Sequence, residues 1–292
     1  MSAPSSRLLP AGLLLLIVAI WGWTFVIVKD AVTIYGVVPF LAVRFLIGAL
    51  CLAPLGLRRG AAPTLGLGAA IGLVMGVAFL LQTLGLATSS ASNTGLITGL
   101  FVVFAPLANR LLFGVRISGL CWFGIGLSLV GLALLTGAGG EAMRVGDLLT
   151  LGCAALFGLH VALLDRHARG RDPVALATGQ VAAAALLFTL VWLIQGPLAW
   201  PPRTVWPALL LTAVLASAAA YLVQTYAQQR LRADQTALIM LAEPLFAVLF
   251  GVWLHGDRFT TIQGLGGLLM VGAMVAAEVL ARRGPTQVGT RT

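Results

Sequence analysis

Charge is scarce in this sequence. Aspartate and glutamate number 9 and lysine plus arginine 18 among 292 residues, so 9% of the chain is charged while 60% is hydrophobic. A soluble fold of this length has no use for so apolar a composition, and uninterrupted runs of roughly 20 apolar residues recur, each long enough to cross a hydrocarbon layer as a helix. Strand barrels are excluded by the same runs, because barrel strands alternate apolar and polar residues. Cysteine is equally sparse. Cys51, Cys121 and Cys153 fall inside apolar runs without metal-ligand spacing, which removes a disulfide framework and a zinc site and leaves packing roles. No phosphate-loop pattern occurs, so neither direct ATP drive nor any cofactor is expected. His160, His167 and His255 do not cluster at helical spacing and the acids are scattered, which argues against a membrane-embedded enzyme.

What is present is a succession of apolar segments. Breaks at charged, proline and glycine positions predict ten spans at 8–28, 37–57, 65–86, 93–113, 118–136, 147–165, 174–195, 205–227, 236–254 and 262–281. The segment before Leu8 has the charge of a signal n-region, but no small-residue cleavage site follows and the run contains Trp21 and Trp23; it is read as the first span. The net charge of +9 is spread between apolar runs, not gathered on one face, so nucleic acid is not an expected partner and anionic lipid is. Placing both termini in the cytoplasm puts thirteen basic residues inside and leaves Lys29, Arg144, Arg203 and Arg258 outside, in agreement with the positive-inside bias. Trp200 and Trp206 fit an interfacial belt.

The two halves resemble each other. Ala78 to Thr83 (AFLLQT) answers to Ala220 to Thr225 (AYLVQT), and Ala91 to Ile97 (ASNTGLI) to Ala233 to Ile239 (ADQTALI), both at one offset of 142. Trp21-Gly22 likewise answers to Phe157-Gly158. Spans 1–5 therefore repeat as spans 6–10, in segments 1–138 and 139–292, with the boundary near Gly137 to Met143. An odd number of spans per repeat inverts the second copy, so the expected fold is an all-α integral membrane protein of ten transmembrane helices in two inverted five-helix repeats.

Trp21-Gly22 in span 1, Arg44-Phe45 in span 2, Gln82 to Leu86 followed by Ser90 to Asn93, Ala242-Glu243-Pro244 and the glycines of the last span carry a further likeness. With these residues the chain resembles the EamA family of the drug/metabolite transporter superfamily over nearly its whole length. The resemblance implies a carrier that is not an enzyme, in the inner membrane of a bacterial-type cell; members include amino-acid exporters of the YddG type and exporters of drugs or other metabolites. Where members often end span 9 in Gly-Glu, this chain has Gly256-Asp257, followed by Arg258.

A polar cargo needs groups that replace water, so polar and aromatic residues inside spans are the candidate cavity lining. Gln82 and Thr83 are matched by Gln224 and Thr225; Trp21, Trp23 and Thr24 surround one matched glycine and His160 follows the other; Tyr221 and Phe101 complete the set. Each also has a bland reading as a helix-to-helix contact. Glu243 is left with four roles: pairing with a cation, bonding carbonyls freed by Pro244, handling a proton, or binding a substrate amine. Arg44 either snorkels to the outer interface, the favoured reading, or meets a carboxylate. Spans 5 and 10, rich in glycine, read as scaffold or dimer faces, leaving monomer and homodimer open.

Overall fold

A computed structural model describes residues 5–58, 60–115, 117, 119–137, 144–231 and 233–281. The expected repeat boundary at 138–143 lies outside the described residues, as do Arg59, Arg116, Arg232, Arg282, Arg283 and Arg291 and the side chains of Arg7, Cys121, Asp234 and Glu278.

Among the described residues every regular element is helical, as the apolar runs require: in a medium without water, backbone N–H and C=O groups are satisfied most simply within one helix. The helices are α1 (Ser5–Tyr35), α2 (Val37–Gly56), α3 (Ala62–Thr88), α4 (Ala91–Gly99), α5 (Phe101–Phe113), α6 (Gly119–Gly137), α7 (Val145–His167), α8 (Pro173–Gln195), α9 (Trp206–Ala213), α10 (Ala220–Arg230), α11 (Ala233–Met240), α12 (Ala242–His255) and α13 (Thr261–Ala281). Among the described residues eight stretches are long and apolar enough to cross a membrane, counting α4–α5, α9–α10 and α11–α12 as continuous; shorter apolar helices cover Trp122–Leu135 and Thr261–Ala273. Large apolar side chains such as Leu111, Ile194 and Trp253 stand exposed around the outside, the arrangement expected of a lipid-facing surface. The chain is a multi-pass membrane protein.

The expected spans fall on these helices, with one clear extension. α1 continues past the predicted end at residue 28, through Lys29 and Asp30, and stops only at Gly36, whose φ of 87° is open to a glycine and strained for other residues.

Close helix crossings are built on glycine. A Cβ on Gly22 of α1 would collide with Phe246 and lie 2.8 Å from the Ala247 nitrogen of α12. The matched Gly158 of α7 meets α5 the same way: its Cβ would lie 2.6 Å from Phe104 Cβ and 2.8 Å from the Ala105 nitrogen. α3 packs between α7 and α8, and α2 against α8. α6 and α13 pack chiefly on each other, where a Cβ on Gly131 would lie 2.7 Å from the Gly266 oxygen.

Candidate functional site

Three long helices lose their regularity beside one cavity. α4 passes to α5 at Leu100, α11 passes to α12 at Leu241 just ahead of Pro244, and α9 is joined to α10 by a π-helical stretch, Val214–Ala219. Proline cannot donate to the ladder, and a π turn shifts its pairing by one residue, so each interruption leaves backbone groups for other partners. Ala216 and Ser217 of the π stretch use this freedom. The Ala216 carbonyl accepts from Trp21 Nε1 at 3.0 Å and from Arg44 Nη2 at 3.4 Å, and Ser217 Oγ accepts from Arg44 Nε at 2.9 Å.

Arg44 therefore does not snorkel. It is 2% exposed, turned inward over the rings of Phe79 (5.0 Å) and Phe45 (5.3 Å) and held by the π stretch. The freed carbonyl and the two aromatic faces offer the guanidinium more than the outer interface does, and it points into the protein.

The interruptions border a partly open cavity of about 40 Å³, room for roughly three waters. Of the predicted residues, Trp21, Thr24, Gln82, Thr83, Phe101, His160, Tyr221 and Gln224 line it, together with Arg44 and Glu243. Its apolar side is a connected set of rings: Tyr221 lies 5.7 Å from Trp21, 5.9 Å from His160 and 6.1 Å from Phe79, and Phe79 meets Phe157 edge-on at 5.2 Å. Edge-to-face packing of this kind fixes ring positions without filling the centre. Glu243, at the start of α12, is the one acid in the lining among the described residues.

Two predicted residues do not line the cavity. Trp23 is half-buried and follows Trp21 by two positions, which on a helix turns it to a different side. Thr225 is fully buried but faces α8, where its hydroxyl accepts from Gln180 Nε2 at 3.3 Å. Gln180 Oε1 in turn pairs with His160 Nε2, 2.7 Å away, so α7, α8 and α10 are joined by one polar chain. Gln180 was not among the predicted residues, although a glutamine inside an alanine-rich span was a signal of the same kind as Gln82. Phe79, Phe157 and Met240 were missed for a different reason: apolar lining has no signature distinct from core. Among the other candidates, Thr24 and Thr83 also bond carbonyls of their own helices, Trp21 and Phe79, and Gln82 donates to Thr98 at 3.3 Å.

At the end of the molecule expected to face outward, a polar seam ties α1, α4, α7 and α12. Asp257 does not turn to Arg258; its Oδ2 accepts from the Ser92 backbone N–H at 2.8 Å and its Oδ1 lies 3.4 Å from His255 Nδ1, while His255 Nε2 lies 3.4 Å from Asp30. A carboxylate over the first turn of α4 is stabilised by the unpaired N–H groups there. Ser89 Oγ donates to Asp147 at 2.9 Å, and the Lys29 ammonium donates to the Ser89 carbonyl.

The sequence matches the model of the EamA-like transporter family twice, over residues 8–137 and again over 144–277. The chain belongs to the EamA-like transporter family. Similar proteins agree with the EamA assignment. An uncharacterized transporter of Archaeoglobus fulgidus is 31% identical over 274 residues, covering 91% of this chain and 84% of that one. The threonine/homoserine exporter RhtA of Escherichia coli K12 is 29% identical over 177 residues, 60% of this chain and 58% of its own length. A solved crystal structure superposes with a TM-score of 0.68 over 97% of this chain and 100% of that one at 20% identity, a likeness of fold. This EamA protein is thus a transporter by family, which implies a small-molecule cargo and a lipid environment.

Proposed function

We propose that this protein exports small metabolites, foremost neutral or aromatic amino acids, from the cytoplasm across a bacterial-type inner membrane by alternating access. In this reading the chain crosses the membrane ten times, with both termini cytoplasmic, and its halves, 1–138 and 139–292, are inverted repeats that rock around the cavity. The two matches to one family model and the like-for-like contacts of Gly22 and Gly158 support the repeat. The similarity to an exporter of threonine and homoserine supports amino-acid cargo and outward direction. Drugs or other metabolites are the alternative cargo within the same family.

The observation that carries the reading is the cavity itself: a space bounded by interrupted helices, with a cation, an acid and an aromatic wall. At about 40 Å³ it has room for only a few waters, so in this reading the helices move apart to admit cargo. Purified protein in proteoliposomes loaded with labelled amino acids is the test. Efflux above that of empty liposomes, reduced by Gln224→Ala and His160→Ala at equal protein incorporation, is expected. A broad panel of amino acids and metabolites that all stay inside overturns the proposal.

A further inference from the structure

We infer that the cavity recognises a zwitterion by its two poles, binding a carboxylate at Arg44 and an ammonium at Glu243 with Gln224; this rests on the transport reading above.

The inference starts from unsatisfied groups. Arg44 Nε and Nη2 have acceptors in the π stretch, but Nη1 has none among the described residues. Neither carboxylate oxygen of Glu243 has a donor among the described residues. Gln224, 1% exposed, has an Oε1 that is buried and without a partner. All three side chains line the same cavity, and among the described residues no ion pair joins Arg44 to Glu243. Buried charges are retained when something pairs them, and here each lacks what the other carries. A cargo with one charge would relieve one and leave the other uncompensated. A cargo carrying both, held apart on one carbon, relieves both and offers its ammonium protons to the Gln224 oxygen as well. Tyr221 lines the same cavity as both charges. The ring wall of Trp21, Phe79 and Phe157 then receives the cargo's side chain. The charges set the class of cargo and the rings accept its variable part.

Competition against labelled L-threonine, L-homoserine and L-phenylalanine in wild-type proteoliposomes tests this without any variant. Each parent amino acid should compete at its own transport concentration. Its N-acetyl form, which lacks the cation, and its amide, which lacks the anion, should each be more than ~10-fold weaker, because each leaves a buried group unpaired. Glu243→Gln should narrow the gap for the N-acetyl form, and Arg44→Gln the gap for the amide. Either analogue competing within ~3-fold of its parent, with flux intact, overturns the two-pole site and leaves transport standing. Absence of flux for every amino acid, in protein that is monodisperse and incorporated, overturns the amino-acid reading and this inference with it.

Discussion

The indole of Trp21 donates to the Ala216 carbonyl across 3.0 Å, tying α1 to the π stretch that also receives Arg44. The bond is buried and spans 195 residues of sequence. Trp21→Phe keeps a ring beside Tyr221 and removes the donor. A loss of about 1 kcal/mol in stability is expected, with a larger fractional loss of flux because the carbonyl also orients Arg44. Thermal unfolding in detergent and proteoliposome efflux check the two effects. Equal efflux by wild type and variant would separate this bond from transport.

His160 and Gln180 form the second test. His160→Phe preserves an aromatic ring near Tyr221 but leaves Gln180 Oε1 without its donor, at an expected loss of about 1–3 kcal/mol. Gln180→Leu combined with His160→Phe removes both partners and should recover part of that loss. A melting temperature for the double variant no higher than for His160→Phe alone would contradict the polar chain.

Glycine crossings give a steric test. Gly22→Val and Gly158→Val each drive side-chain atoms into a neighbouring helix, at an expected 1–3 kcal/mol or more, and should abolish monodisperse protein in size-exclusion profiles. Gly126→Ala, where a Cβ would meet nothing within 4 Å, should behave as wild type. Loss of folded protein in Gly126→Ala instead would mean that the profile reports something other than these crossings.

Glu243 bears on coupling. A carboxylate without a partner in an apolar interior is costly as an ion, and a proton or a bound cation relieves it. Efflux by wild type is expected to accelerate when the receiving side is made acidic, and Glu243→Gln to remove that acceleration. A pH gradient without effect on wild type assigns Glu243 to cargo alone.

Much of the fold was legible because bilayer helices announce themselves by length and hydropathy: eight of the expected spans fall on stretches long and apolar enough to cross a membrane, and the fifth and tenth on shorter apolar helices. The local irregularities were not. The π stretch Val214–Ala219 reads VLASAA, an ordinary small-residue helix sequence, so nothing at Arg44 could reveal the carbonyl awaiting it more than 170 residues away. That is why the residue with the longest reach toward water was expected to take it. The internal likeness between Gln82 and Gln224 was a surer guide, since matched polar positions in both halves came together on one cavity. It failed one residue later at Thr225, because sequence gives the helix and not the rotation that sets which of two adjacent side chains faces inward.

α6 and α13, joined at Gly131 and Gly266, contribute no side chain to the cavity among the described residues. Selectivity and the outer surface of that helix pair are thereby uncoupled in heredity. Substitutions on its lipid-exposed side can adapt the protein to a different membrane while the cargo stays the same, and the cavity can take on new cargo without renegotiating that surface.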